Sequence, residues 1–281
     1  MNIVNVHSVA TKVLEFYEQL PFNYASSPEI VVSEIKNNNV LSYYFSKWES
    51  LFKKGSTVLE MGCGAGWMSN AIKYYHGSDI VGIDFNPKAI GFAIEVAKLL
   101  TPQEQAKFVV SDLFEYTGGP YEVVVSMGVL HHTVDCAGGI KKACELTQKS
   151  GHIIIGLYHK YGRRPFLDHF KNLINKGYSE DELLLEYKKL DSRHKDDIMA
   201  RSWFKDQVLH PHETQHTLAE VDKIFRENSV QTNSTSINGF GTFENVSDLY
   251  AVEKSLFDKG NDFLQNQKYY PGFFIVVGKK E

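Results

Sequence analysis

Apolar and polar positions repeat with two periods along this chain, and each change of period marks a boundary. Val9, Val13, Phe16, Tyr17 and Leu20 recur at helical spacing over residues 8–20, with Ser8 as the candidate N-cap and Pro21 as the stop. Ser27-Pro28 opens a second helical stretch that extends to about Phe52, interrupted near Asn37, Asn38 and Asn39. From Thr57 the period shortens. Residues 58–61, 80–84, 107–111, 122–127 and 152–158 read as five short apolar strands. Between them the pattern predicts helices up to about Tyr75, from Asn86-Pro87 to Leu100, and over residues 137–148, the Asn-Pro pair supplying a cap and a first helical residue. Near-continuous apolar strands alternating with helices predict a doubly wound α/β fold, a mostly parallel sheet covered on both faces.

Beyond Tyr158 the rhythm breaks. Residues 160–216 hold 11 Lys/Arg, 10 Asp/Glu and five of the 11 histidines. Ser179 and Glu182 form a capping-box pattern for a helix reaching about Leu190. A charged helical insertion directly after a strand is placed to close over the sheet edge where ligands bind in such folds. Alternation then resumes with a helix over 218–228, a strand over 230–236, a helical excursion over about 246–265 and a last strand over 273–277. The expected organisation is an N-terminal helical cap (1–55), a core (56–159 and 217–281) and an insertion or lid (160–216).

Composition narrows the partners. With 43% hydrophobic and 23% charged residues the chain has the makings of a core, and 13% aromatics leave enough to line a pocket as well. A net charge of −4 and a pI near 6.3 give no overall attraction to polyanions, so nucleic acid is not an expected partner. Cys63, Cys136 and Cys144 have no CxxC spacing and leave one over, which suits a reducing compartment and excludes a cysteine zinc site or disulfide framework. No basic leader precedes a long apolar run, and the most apolar segments are strand-length. The expectation is a soluble cytoplasmic protein without a membrane partner; its oligomeric state is left open.

The chemistry concentrates at the strand ends. Glu60-Met61-Gly62-Cys63-Gly64-Ala65-Gly66-Trp67 follows the first strand, with glycines at alternate positions where a backbone must turn tightly against a ligand. A dinucleotide fingerprint would need glycine at Trp67, so a nicotinamide oxidoreductase is disfavoured. Asp84 ends the second strand, where a carboxylate can accept from two vicinal ribose hydroxyls, and Asp112-Leu113 ends the third, where an acid and a backbone N–H can read an adenine edge. Three acids at successive strand ends beside a glycine loop favour a ligand crevice over chance surface carboxylates.

On these residues the chain resembles the class I S-adenosylmethionine-dependent methyltransferases, strongly over about residues 56–160 and more loosely over the last two strands. The resemblance implies a seven-stranded Rossmann-like sheet with its last strand antiparallel. It also implies S-adenosyl-L-methionine as cofactor, with donor contacts by Glu60, Gly62, Cys63, Gly64, Asp84, Phe85, Asp112, Leu113 and Met127. Met127-Gly128-Val129-Leu130-His131-His132 is similar to the segment that passes beside the donor's methionine moiety. The implied reaction is an in-line methyl transfer to O or N of a small-molecule acceptor. A protein or RNA acceptor, or a non-catalytic donor-binding module, are the alternatives; the near-neutral insertion weighs against RNA and the intact loop and acids against loss of turnover.

Candidate catalytic groups are His131 and His132 after the fourth strand, Tyr158 at the end of the fifth, and His212 and His216 in the insertion's return. His159 and Tyr161 lie on the same edge as Tyr158, and Arg163 and Arg164 could hold an anionic acceptor group or form ordinary ion pairs. His212-Glu213-Thr214-Gln215-His216 matches the HExxH pattern, whose histidines would share a face if helical. No third ligand lies nearby in sequence, so no metal site is assigned, and at least one of His210, His212 and His216 is expected to face the acceptor pocket.

Overall fold

A computed structural model describes residues 6–39, 41–42 and 47–281. Its strands are β1 (Thr57–Met61), β2 (Asp79–Asp84), β3 (Lys107–Val110), β4 (Tyr121–Met127), β5 (Thr147–Tyr158), β6 (Val230–Thr235) and β7 (Phe273–Lys280). They form a seven-stranded sheet in the order β3-β2-β1-β4-β5-β7-β6. β1 to β5 are parallel, and β7 runs antiparallel to both β5 and β6. The strand order reverses between β1 and β4, and the crevice beyond their C-terminal ends is where such a sheet binds ligands.

Alternation within the strands explains the two-sided core. Val58 of β1 joins Val123 and Val125 of β4 in a cluster with Ile72 and Phe92, while Leu59 and Val124 point the other way to Ile140, Val221 and Phe225. One face is therefore covered by α2 (Pro28–Asn37), α3 (Trp67–His76) and α4 (Pro87–Leu100), the other by α5 (Cys136–Leu146) and α9 (Leu218–Glu227). The start of α4 follows the sequence signal: the Asn86 side chain accepts from the N–H of Lys88 at 2.9 Å and of Ala89 at 3.3 Å, with Pro87 next. Such a cap contributes about 1 kcal/mol.

Several boundaries differ from the pattern. α1 covers Val6–Gln19, so Ser8 lies inside the helix rather than capping it. The second helical stretch ends at Asn37, and its expected continuation falls partly on residues 40 and 43–46, outside the described residues. The helix expected over 137–148 stops at Leu146, because Thr147 to Gly151 are drawn into β5, where Thr147 pairs with Tyr121. The excursion over 246–265 divides into a 3-10 turn at Val246–Leu249 and α10 (Ser255–Gln265).

The insertion is three helices, α6 (Arg164–Asn175), α7 (Glu180–Leu190) and α8 (Asp197–Val208), around a small core of Phe166, Phe170, Leu183, Leu184, Tyr187 and Phe204. The Ser179–Glu182 capping box is formed in both directions. Residues 209–217 then return to the sheet as an irregular, non-helical segment that bridges to the end of β5: His216 N–H donates to the Tyr158 carbonyl at 2.9 Å, and Lys160 N–H to the His216 carbonyl at 2.8 Å. No helix among the described residues is long and apolar enough to cross a membrane.

Candidate functional site

The glycine loop leaves β1 in a sharp turn. Gly62, Gly64 and Gly66 have φ of +77°, +49° and +78°, in the left-handed region that favours glycine. At Gly62 space is exhausted too, since a Cβ there would lie 2.4 Å from Val129 Cγ1. The N–H groups of Gly62 and Cys63 both donate to the Ile83 carbonyl, at 2.8 and 2.9 Å, which ties the loop to β2.

Asp84 completes the tie. Its Oδ2 accepts from Gly64 N–H and its Oδ1 from Asn86 N–H, each at 2.9 Å. Burial raises the Asp84 carboxyl above its usual range, and the N–H donors of Asn86, Gly64 and Phe85 pull it back. Each oxygen retains a second lone-pair direction, so the carboxylate can serve the loop and a ligand together. Glu60 is 5% exposed and accepts from Ser69 Oγ. Its burial pushes the carboxyl up to about 8.

A continuous cavity of about 1510 Å³ opens at this edge. Glu60, Gly62, Cys63, Gly64, Asp84, Phe85, Asp112, Leu113 and Met127 all line it, so the expected donor contacts are brought together. The volume exceeds the roughly 300–1,000 Å³ of an ordinary ligand site, leaving room for two reactants. Beyond the glycine loop the wall is largely aromatic, with Phe22, Trp203, Phe240, Tyr269 and Phe273. A polar pole of His132, Asp206, Tyr17 and Tyr158 interrupts it, and further charged groups such as Asp191, Arg193 and Lys259 also line the cavity.

At this pole His132 Nδ1 lies 3.0 Å from the His212 carbonyl. A carbonyl only accepts, so Nδ1 carries the hydrogen and Nε2 presents a lone pair. Burial lowers the ring to about 4. Asp206, from α8, accepts from Tyr17 Oη at 2.6 Å, from Gln207 Nε2 at 2.9 Å and from Tyr158 Oη at 3.4 Å. Sequence reasoning missed Asp206 and assigned Tyr17 only to a helix face. The signal for Asp206 was an acid at the i+7 position of an apolar face that begins at Met199 and continues at Trp203.

The other candidates are placed elsewhere. His131 is fully buried behind the cavity wall, stacks on Tyr158 with ring centroids 4.0 Å apart, and accepts at Nδ1 from Tyr158 N–H at 3.3 Å. Burial raises the Tyr158 phenol well above its usual range, so it is a hydrogen-bond donor rather than a base. His212 Nε2 is 3.1 Å from the Thr133 carbonyl, and His216 Nε2 is 2.8 Å from Thr214 Oγ1; neither lines the cavity. The HExxH segment is not helical, so its two histidines are not brought together one turn apart, and their rings meet different partners. His210 packs behind the pole against Phe16, Tyr17 and His132. Its ring touches the pole without being part of the cavity wall. Arg163 is fully buried and bound to Glu213, whereas Arg164 makes an exposed ion pair with Asp168 at 3.5 Å, so neither anchors an acceptor. His159 is likewise buried, 2.8 Å from Glu253.

A family model described as a methyltransferase domain matches residues 52–210, more than half of the chain. The chain belongs to this methyltransferase family. Its fold is that of the class I, S-adenosylmethionine-dependent members. Among curated relatives, it is 26% identical over 149 residues to a 2-methyl-6-phytyl-1,4-hydroquinone methyltransferase of Synechocystis, covering 51% of this chain and 46% of the relative. It is 29% identical over 112 residues to a ubiquinone biosynthesis O-methyltransferase of Acinetobacter baylyi, covering 38% of this chain and 45% of the relative. The chain thus spans about half the length of the curated relatives it matches. A solved structure of magnesium protoporphyrin IX methyltransferase from Synechocystis, with SAH bound, superposes with a TM-score of 0.52 at 17% identity, covering 89% of this chain and 83% of that one. At that identity the likeness concerns the fold.

Proposed function

We propose that the chain transfers the methyl group of S-adenosyl-L-methionine to a hydroxyl oxygen of an aromatic small-molecule acceptor. The observation that carries this reading is that one cavity holds Glu60, Gly62, Gly64, Asp84 and Asp112 together with aromatic side chains and the polar pole of His132, Asp206, Tyr17 and Tyr158. The two quinol-related relatives support an acceptor of that class.

In this reading Asp84 holds the ribose hydroxyls, Asp112 and Leu113 the adenine, Phe85 packs on the nucleoside, and Glu60, Gly62, Cys63, Gly64 and Met127 surround the methionine half. The sulfonium already activates the methyl group, so the protein supplies alignment and dryness: an acceptor oxygen attacks the methyl carbon along the C–S axis, the C–S bond breaks to release S-adenosylhomocysteine, and the hydroxyl proton passes to solvent, by way of the His132 Nε2 lone pair where that lies nearest. The aromatic wall holds the acceptor ring, and the pole of His132, Asp206, Tyr17 and Tyr158 fixes the hydroxyl. The N-terminal cap (1–55) and the insertion (160–216) act as covers. Asn23 joins them, its carbonyl accepting from Trp67 Nε1 and its Oδ1 from Trp203 Nε1, each at 2.9 Å. Three free buried thiols support a cytoplasmic setting.

The test is to incubate the protein with the donor and a panel of catechols, hydroquinones and amines, and to measure S-adenosylhomocysteine. Donor-dependent product with phenolic acceptors is expected. Turnover with amines alone would replace the oxygen assignment, and donor binding without turnover on any acceptor would leave a binding module.

A further inference from the structure

We propose that His132, Asp206 and His210 form a binding site for one divalent transition-metal ion, at the acceptor end of the cavity. A ring nitrogen of each histidine and a carboxylate oxygen of Asp206 all lie within 4.8 Å of one another, and His132 Nε2 is 3.8 Å from Asp206 Oδ1. Donor atoms arranged tetrahedrally at 2.0–2.1 Å from zinc lie about 3.3 Å apart, so the set closes when the two imidazoles, whose ring centroids lie 3.7 Å apart, turn their nitrogens toward one point beside Asp206.

Three observations converge on a cation. First, Asp206 is buried, and its hydrogen-bond donors, Tyr17, Tyr158 and Gln207, are all uncharged. Arg163, the nearby buried cation, directs its fork at Glu213. A buried carboxylate in that position is stabilised by a positive ligand. Second, His132 Nε2 and His210 Nε2 are both buried without a hydrogen-bond partner. Buried polar atoms are seldom left so, and two such nitrogens beside one carboxylate form a ligand set more than a packing accident. Third, the hydrogen bond from His132 Nδ1–H to the His212 carbonyl is the outer-shell contact that holds metal-bound imidazoles in one tautomer.

One local cost opposes binding. His210 Nδ1 accepts from His212 N–H at 3.1 Å, and whichever ring nitrogen took the ion, that hydrogen bond would end. Such a loss is small against three coordinate bonds. Two imidazoles and one carboxylate favour zinc, cobalt or iron over magnesium, which prefers oxygen ligands. His132 and Asp206 line the cavity, so the open coordination position faces the acceptor. Here the inference rests on the acceptor reading above; the ion site itself does not.

The experiment uses the tag-free full chain, stripped with a chelator and titrated with cobalt(II), reading visible absorption and bound metal by elemental analysis. One equivalent with a tetrahedral or five-coordinate cobalt spectrum is expected, displaced by zinc and not by excess magnesium. Asp206→Asn and His210→Ala should each weaken binding by more than the roughly 10–100-fold that loss of an outer-shell partner costs, and His216→Ala should leave it unchanged. S-adenosylhomocysteine binding by calorimetry, run on the same samples, checks folding and keeps the donor reading separate. Unchanged cobalt affinity in Asp206→Asn and His210→Ala, or less than a tenth of an equivalent bound by wild-type protein that binds S-adenosylhomocysteine, would overturn the site. If either variant fails to fold, His210→Gln, which keeps the size and polarity but removes the imidazole, decides by the same readout.

Discussion

Arg163 and Glu213 face each other in a two-pronged ion pair, Nε donating to Oε1 at 3.0 Å and Nη2 to Oε2 at 2.8 Å. The guanidinium is fully buried, also donates to the Gln207 carbonyl at 2.7 Å, and lies 3.9 Å from the centroid of the Tyr158 ring. The pair joins the start of the insertion to its return and packs against Tyr158 and Gln207 from behind. Burial alone would raise the Glu213 carboxyl, but the charge and hydrogen bonds of Arg163 hold it below the usual range.

Removing one partner leaves the other charge buried alone. Arg163→Met should therefore cost about 3–5 kcal/mol in urea denaturation, and adding Glu213→Leu should recover a substantial part of it. A loss under about 1 kcal/mol in the single variant would mean that the pair is not what fixes the insertion.

The glycine loop makes a second, sharper case. Gly62→Ala places a Cβ against Val129 at a φ of +77°, so both space and backbone oppose it. Stability should fall by about 1–3 kcal/mol, with loss of donor affinity. Adding Val129→Ala should restore only part, because the backbone strain remains. Full recovery in the double variant would assign the effect to crowding alone.

Asp84→Ala removes a carboxylate that both braces Gly64 and faces the cavity. Calorimetry should find S-adenosylhomocysteine binding weakened by about 1.5–3 kcal/mol, the scale of hydrogen bonds to a charged group. Unchanged affinity would remove Asp84 from the ribose.

The glycine-loop end of the cavity was legible in the sequence because it depends on local rules: a strand, a turn that only glycine permits, and acids at strand ends. Gly62, Asp84 and Asp112 reach the cavity by virtue of where their strands stop. The polar pole at the other end was not legible as a unit, because it is assembled from α1, the loop after β4, the end of β5 and α8, segments far apart in the chain. Asp206 meets Tyr17 across 189 positions, a relation no period or spacing encodes. His212 and His216 misled for the complementary reason. HExxH has chemical meaning on a helix, and residues 212–216 are held out of one because Thr214 and His216 donate their N–H groups to the carbonyls of His131 and Tyr158.

Glu60 offers the pH-dependent prediction. Its carboxyl is pushed from 4.5 up to about 8 by burial, partly opposed by Ser69. A carboxyl whose folded value is raised favours the fold when protonated, so its contribution is fully present below about pH 4.5 and lost as pH rises through 8. Replacing it by the uncharged isostere in Glu60→Gln keeps an oxygen for the Ser69 hydroxyl and removes the titration. In donor-free protein, wild type should lose stability relative to Glu60→Gln steadily between about pH 5 and 8, by at most about 5 kcal/mol, and the gap should level off above about pH 9. Denaturant titrations at half-unit steps of pH measure it directly. A gap that stays constant over that window would mean that Glu60 is already ionised at pH 5, and that the cavity carries its negative charge at physiological pH without the donor's sulfonium to balance it.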